Sequence, residues 1–358
     1  MRRWWAAAVA AIVVLAVGIG AADGFGSGST LERLDKLISD QSPALGVAYV
    51  TGTATSAPSV WLADARGSGA RLLGSGARPL LAPDGSLVAA STTPGLVLYR
   101  ASGGAAHRYF EDADATAVAT AFSPDSRYLA VVLTSTNPAS AGPSGLAVID
   151  TNTSAYRIVV RGQIYGASFA PDGSDRIAYA SAASAALSAP VDVHVIAADG
   201  SGAMQITHDG RSLNPVWGRS GIAFDHERLR PDAEPAYQVW LMASDGSGAR
   251  RLTAVPVPTL RDGLVPIDFS GDGKLLLAQY EGQDTNQAWL IPVSGGPATP
   301  LGAGLTGAAL SRNGDSALVD RGGFLNPPDQ GTVEALPLRG GGPPRILAAH
   351  GSDPSWNE

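Results

Sequence analysis

The chain has 358 residues and no cysteine, a formal net charge of −7, 45% hydrophobic and 16% charged residues, 44 glycines and 25 prolines. The missing cysteine excludes a disulfide framework, a thiolate metal centre and a lipidated N-terminal cysteine, and the acidic balance opposes binding to nucleic acid or an anionic membrane surface. The apolar share exceeds that of a disordered chain, so a turn-rich all-β protein with one large core is expected.

Arg2 and Arg3 precede an apolar run, Trp4–Ala22, that ends in small residues at Gly20 and Ala22. They are the only charges in residues 1–22, so the rest of the chain carries −9. A positive start, an apolar centre and small residues fit a secretory signal cleaved after Ala22. The run is also close to the ~20 residues that span a bilayer, so an uncleaved anchor fits equally well. Either reading puts the remainder outside the cytoplasm, because the flanking arginines lie on the N-terminal side. Residues 23–44 read as a linker. Gly24-Phe25-Gly26-Ser27-Gly28 is a flexible spacer. Ser29 and Glu32 form a capping box for a short helix whose apolar side carries Leu31, Leu34, Leu37 and Ile38.

From Leu45 onward the chain repeats. One half-motif is a turn that opens a short apolar strand: Ala82-Pro83-Asp84-Gly85-Ser86, Ser123-Pro124-Asp125-Ser126 and Ala170-Pro171-Asp172-Gly173-Ser174. Decayed copies stand at Gly218-Arg219-Ser220-Gly221, Ser270-Gly271-Asp272-Gly273 and Ser311-Arg312-Asn313-Gly314. The steps from Pro83 through Pro124, Pro171, Arg219 and Gly271 to Arg312 are 41, 47, 48, 52 and 41 residues. The other half-motif is a β-rich run, an Asp-Gly-Ser-Gly turn and a second short run, as at Val193–Thr207 and Val239–Thr253. A related copy spans Trp61–Leu73, and weaker ones start at Leu96, Leu146, Ala288 and Val333. Each reads as a hairpin. A period in the 40s with four short strands per unit predicts a β-propeller.

The ends complete the pattern. Asp353-Pro354-Ser355-Trp356-Asn357 resembles Asn214-Pro215-Val216-Trp217-Gly218 but has no strand after it, whereas Leu45–Val50 has none before it. Joining them gives a seventh blade built from the C-terminal strand and three N-terminal strands. That closure removes an open edge.

Pro-Asp-Gly alternating with Asp-Gly-Ser-Gly-x-x-x-Leu-Thr resembles the TolB-like β-propeller repeat, a relative of the WD-repeat propellers. The resemblance covers residues 45–358 and implies a β-propeller; the count of seven blades comes from the motif copies and the joined ends. TolB itself is similar to a six-bladed propeller behind an N-terminal α/β domain, which this chain has no room for, so the resemblance does not carry a Tol-type role with it.

With the four strands of a unit lettered in chain order, a and b flanking the Pro-Asp turn and c and d flanking the Asp-Gly-Ser-Gly turn, the a–b and c–d hairpin turns share one face, where Asp and Gly serve turn geometry. The b–c and d–a connections on the opposite face are longer and more variable, and such loops carry function on rigid scaffolds. The densest is Asp225–Ala236, with Asp225, His226, Glu227, Arg228 and Arg230 as candidate partner-binding residues. Arg321 and Phe324, in the segment 320–330, are the other candidates, Phe324 with Leu325 as an apolar anchor. His208, Asp209, Glu281, Asp284, Asp320 and Arg321 are the titratable residues available to an axial opening.

No catalytic constellation appears. His226-Glu227 lacks the second histidine of a zinc-protease motif, and Gly302–Gly307 matches a dinucleotide fingerprint as a string but has no helix after it. Glu111–Asp114 lacks EF-hand spacing. His194 alternates with strand valines and reads as a strand residue. His208, His226 and His350 share a face, which permits a metal, but no metal or cofactor is expected. The reading is a monomeric, non-catalytic, extracytoplasmic propeller that binds a protein or cell-envelope component through its variable face. It touches membrane only through an uncleaved N-terminal segment. The alternative is a hydrolase or lyase acting on a carbohydrate or peptide at the axial opening.

Overall fold

The computed structural model describes residues 45–53, 56–111, 114–136, 144–182, 184, 189–229, 235–255, 261–282, 286–322 and 326–357. The apolar N-terminal run and the helix expected at 29–38 lie outside them. Among the described residues, no helix is long and apolar enough to cross a membrane.

Numbered in chain order, β1 is Gly46–Thr51, β2 Ser59–Asp64 and β3 Arg71–Ser75. Strands β4–β7 lie within Ala77–Tyr109, β8–β11 within Ala115–Arg161 and β12–β15 within Ile164–Gln205. Then come β16 (Ser212–Gly218), β17 (Gly221–Leu229), β18 (Pro235–Met242) and β19 (Arg250–Arg251). Strands β20–β23 lie within Arg261–Ala303, β24–β27 within Leu305–Ala348, and β28 is Ser352–Trp356. Consecutive strands form antiparallel four-stranded groups, here sheet 1 (β4–β7) to sheet 6 (β24–β27). Sheet 7 is split: its order is β28-β1-β2-β3. Sheets 4 and 5 are also linked by one parallel pair, Tyr237↔Gly263.

The repeated motifs act through local hydrogen bonds. In the Pro-Asp-Gly turn, Gly85 donates to the Ala82 carbonyl at 2.9 Å and Asp84 Oδ1 accepts from Ser86 N at 2.9 Å. In the Asp-Gly-Ser-Gly turns, Asp199 and Asp245 accept from the backbone of Ser201 and Ser247 at 2.8 and 2.9 Å. Those serine contacts hold both carboxyls below the usual aspartate range. Gly246, at φ +85°, lies so close to the Ile206 carbonyl of sheet 3 that a Cβ there would sit 2.3 Å from it. The glycine therefore serves two needs, a left-handed turn and close approach of neighbouring sheets. The terminal threonine is a clamp. Thr207 Oγ1 accepts from Val193 N at 2.8 Å and donates to Asp192 Oδ1 at 2.9 Å. Thr253 does the same with Val239 N and Gln238 Oε1, at 3.1 and 2.8 Å.

The core lies between sheets. Each sheet presents apolar residues to both neighbours, as where Val193, Val195 and Ile206 of sheet 3 meet Trp217, Ile222 and Phe224 of sheet 4. First strands meet first strands: β16 packs on both β12 (Ile164–Phe169) and β20 (Arg261–Phe269), and β28 packs on β4 (Ala77–Leu81). All seven ladders between the first and second strands of a sheet slip register, six of them once and that of sheet 5 twice. Such bulges bend a strand and increase its twist. Three of them place a non-glycine residue at positive φ immediately before proline: Arg78 (50°), Asn214 (45°) and Asp353 (55°).

Polar side chains then tie first strands across sheets. Ser355 Oγ accepts from Leu81 N at 3.0 Å, Ser168 Oγ from Trp217 N at 3.0 Å and Asp268 Oδ2 from Leu310 N at 2.8 Å. Asp268 keeps some accessible surface but is densely enclosed. Burial pushes its carboxyl up to about 7, against the opposing pull of the Leu310 and Phe269 backbone N–H groups.

The split sheet is closed as the sequence implies. Val47 pairs with Trp356 and Ala48 with Ser355, and Gly46 N donates to Asn357 Oδ1 at 2.8 Å. Trp356 is buried at 7% exposure, in a cluster with Val47 and Tyr49 of its own sheet and Leu318, Val333 and Leu347 of sheet 6. Trp356→Ala therefore removes about 3–5 kcal/mol of stability, read by urea denaturation. Deletion of 351–358 lowers the melting temperature further. A truncated chain melting within two degrees of the intact one refutes closure through β28.

Asp268 gives a second prediction. Its native pKa is raised, so its contribution to stability is fully present below the unfolded value near 3.9. That contribution falls as pH rises through about 7. The melting temperature should therefore fall between pH 5 and pH 8, and Asp268→Asn should flatten that slope. An unchanged slope in the variant refutes the assignment.

Candidate functional site

Sheet 4 carries the longest second strand of the described chain: β17 has nine residues and pairs with β18 as far as Leu229↔Pro235. The segment Asp225–Leu229 is therefore strand, where the sequence suggested a charged loop. The ladder continues because each residue finds a partner on a β-favouring strand, Asp225 opposite Val239, His226 opposite Gln238 and Glu227 opposite Tyr237. The same holds for Asp320 and Arg321, which lie in β25 (Ser316–Arg321).

Alternation sorts these residues. Asp225 is 1% exposed and accepts from Asn214 Nδ2 at 3.2 Å, so its carboxylate is engaged inside the protein. His226 lies on the other face, beside sheet 3. Its Nε2 stands 3.1 Å from Asp209 Oδ2, in the connection leading into β16. Asp209 Oδ1 in turn accepts from Arg211 N and Ser212 Oγ at 3.0 and 2.9 Å, which fixes the carboxylate. The His226 ring lies 4.9 Å from the Trp240 ring. Trp240 stands opposite Arg251 in register. His226, Gln238, Trp240 and Arg251 line a recess of about 370 Å³ at the root of the β17–β18 hairpin. Gln238 cannot swing: its Oε1 accepts from Thr253 and its Nε2 donates to the Val255 carbonyl, both at 2.8 Å. The Arg251 guanidinium has no hydrogen bond or ion pair among the described residues.

The other sequence candidates disperse. Arg321 forms a two-point ion pair with the buried Glu334, at 2.8 and 3.0 Å, which raises the guanidinium pKa. Asp320 Oδ2 accepts from Asp353 N at 3.1 Å, a bond between sheets 6 and 7. Asp209 is committed to His226, so Asp209, Asp320 and Arg321 each have a partner within the protein; the side chain of Glu281 lies outside the described residues. Arg228 is described by its backbone alone, and Arg230, Asp284 and Phe324 lie outside the described residues. His208 is exposed. His194 is a strand residue, as read: its ring stacks on Tyr179 at 5.2 Å and burial lowers its pKa. Gly302–Gly307 runs from strand through a turn into strand, with no helix to hold a phosphate. Among the described residues no group of three or more His, Asp or Glu is placed to hold a metal ion.

The sequence pattern marked Trp240 and Arg251 only as repeat positions, left Gln238 outside the repeat copy, and assigned none of the three to a site. Their signal was a departure from the repeat. The same face of the preceding copy carries His194 and Asp192, where sheet 4 has Trp240 and Gln238.

No protein-family model and no curated protein matches the sequence. Solved structures do. TolB from Acinetobacter baumannii aligns with a TM-score of 0.54 at 13% identity, over 90% of this chain and 70% of that one. An oligogalacturonate lyase from Vibrio parahaemolyticus aligns with a TM-score of 0.54 at 13% identity, over 85% of each chain. A Mycobacterium tuberculosis puromycin-hydrolysing peptidase aligns with a TM-score of 0.58 at 14% identity, over 86% of this chain and 54% of that one. At these identities the likeness establishes the fold alone. With the sheet topology it shows that this chain folds as a TolB-like β-propeller.

Proposed function

We propose that the chain is a seven-bladed, extracytoplasmic, non-catalytic propeller that binds a protein or cell-envelope component on the face carrying its b–c and d–a connections. Support for seven blades comes from seven four-stranded groups and the split sheet that joins the chain ends. Support for export comes from Arg2, Arg3 and the apolar run to Ala22. The observation that carries the binding reading is the β17–β18 hairpin. It extends its ladder to Leu229↔Pro235 and has an open recess at its root. The turn face repeats the same Asp-Gly geometry sheet after sheet, which serves folding.

One observation favours a second reading. Asp209 orients His226 beside an open recess, an arrangement able to accept a proton from a bound ligand. A hydrolase or lyase of this kind loses turnover on His226→Ala with its melting temperature kept.

Two experiments test the first reading. A fusion of residues 1–30 to a reporter active only outside the cytoplasm should be active; an active cytoplasmic reporter at the same position refutes export. For binding, the full chain is immobilised and challenged with solubilised envelope fraction. Arg228→Ala with Arg230→Ala should reduce specific capture at least fivefold with little change in melting temperature. If capture survives that change and fails instead when the Asp199–Gly202 and Asp245–Gly248 turns are altered in a folded protein, the binding face is the opposite one.

A further inference from the structure

His226, Gln238, Trp240 and Arg251 share one face of sheet 4. His226 stands opposite Gln238, Trp240 is two residues further along β18, and Arg251 stands opposite Trp240. Alternation therefore points all four the same way. That face meets sheet 3: Trp240 packs against the cluster that holds Val193, Val195 and Ile206, and His226 meets Asp209. The recess they line, about 370 Å³, is near the lower end of the roughly 300–1,000 Å³ of small-ligand pockets. It suits a single residue of a partner better than an extended segment. Three polar groups in it are unspent. The exposed Arg251 guanidinium has no partner among the described residues. Gln238 gives one Nε2 hydrogen to the Val255 carbonyl and keeps the other. His226 turns Nε2 to the Asp209 carboxylate, which can only accept, so in the neutral ring Nδ1 is left as an acceptor.

We propose that this recess takes the C-terminal residue of a partner protein. Its apolar or aromatic side chain lies against Trp240, its carboxylate on Arg251 and Gln238 Nε2, and its backbone N–H on His226 Nδ1. This deepens the binding reading above and rests on it. The chemistry of each position supports the assignment. A guanidinium grips a carboxylate at two points, and the adjacent cation, Arg250, is already bonded to the Val293 carbonyl at 2.6 Å. Gln238 is held by Thr253 and Val255, so its amide is presented without an ordering cost. The indole offers a large apolar face, and tryptophan and arginine are the residues that most often dominate binding at protein interfaces. Asp209, the carboxylate on the sheet 3 side, is engaged by His226, Arg211 and Ser212. A chain terminus supplies a side chain, a carboxylate and an N–H from one Cα, which a recess of this size can hold together. An internal Asp or Glu fits less well, because its carboxylate ends the same arm that would have to cover Trp240. A sugar acid or simple aryl acid lacks the N–H.

The test uses the full chain and the peptide acetyl-Gly-Ser-Gly-Phe as the free acid and as the C-terminal amide, with binding followed by calorimetry. The free acid should saturate with a Kd at least tenfold below that of the amide. Arg251→Gln should bring the two within twofold of each other and, because Arg251 is exposed, keep the native melting temperature. Replacing the last residue of the peptide by glycine, which leaves Trp240 uncovered, should weaken binding at least tenfold. Methylating the last peptide nitrogen should weaken binding to the native protein and have no further effect on His226→Ala. The inference is overturned if the free acid does not saturate, or if Arg251→Gln keeps the tenfold preference. It is also overturned if acetyl-Gly-Ser-Glu-Phe amide binds as tightly as the free acid, which marks an acidic side-chain site, or if phenylacetate does, which marks a small-acid site. Envelope capture that persists in a protein binding no such peptide removes this partner class and leaves the binding reading intact. Absence of both refutes both.

Discussion

Pairing of β28 with β1 is the constraint on which the rest depends. Each sheet buries its apolar faces only against its neighbours, so an array of such sheets has two raw ends unless the last joins the first. Here that join is a backbone ladder from Val47↔Trp356 to Val50↔Ser352, reinforced by Asn357 on Gly46 N and by burial of Trp356 against sheet 6. Residues from the two ends of the described chain make one sheet. Every other sheet then has a partner on both sides.

Closure has a geometric corollary near the centre. First strands crowd one another, and all seven slip register at a bulge. Backbone N–H groups near the bulges are then met by side chains of the neighbouring sheet: Asp320 takes Asp353 N, and Gln279 takes Gly307 N at 2.8 Å. Buried polar groups that are bonded rigidify a core, whereas unbonded ones are costly. The acids near the centre, Asp268 and Asp353, thus work on backbone donors, Leu310 N and Arg78 N. Burial in that crowded setting raises the pKa of Asp268; Asp353 is pushed the same way by the atoms packed around it although it keeps exposed surface. A perturbed carboxyl in a propeller is therefore no sign of catalysis when a backbone N–H accounts for its position.

Variation enters where closure does not need uniformity. The outer strands and the connections opposite the stereotyped turns differ from sheet to sheet, and sheet 4 differs in a concerted way. Its second and third strands are long, and its third strand substitutes Trp240 and Gln238 at positions that other sheets fill differently. The result is a recess between sheets with an aromatic wall and a free guanidinium on a closed, rigid scaffold. Fold and candidate site are separable in this way because the inner strands carry the packing and the outer ones carry the variation.

The fold was largely legible before any coordinates. Two motifs alternating in phase, Pro-Asp-Gly and Asp-Gly-Ser-Gly, mark hairpin turns through side-chain chemistry that is local in sequence. The orphan strands at Leu45–Val50 and Asp353–Asn357 announced their own pairing. The candidate site was legible only in part. His226 was visible as an unusual residue, but its segment looked like a loop, because charge density in Asp225–Glu234 masks a strand whose alternate residues face opposite ways. The partnership of Asp209 with His226, the pairing of Arg321 with Glu334 and the meeting of Trp240 with Arg251 join residues 11 to 17 positions apart across ladders or sheets. Local sequence determined the turns, the repeat and the closure, since each depends on contacts within a few residues or on a repeated pattern. Tertiary structure alone decided which charges are spent inside the protein and which stay exposed, because that depends on register and on the sheet next door.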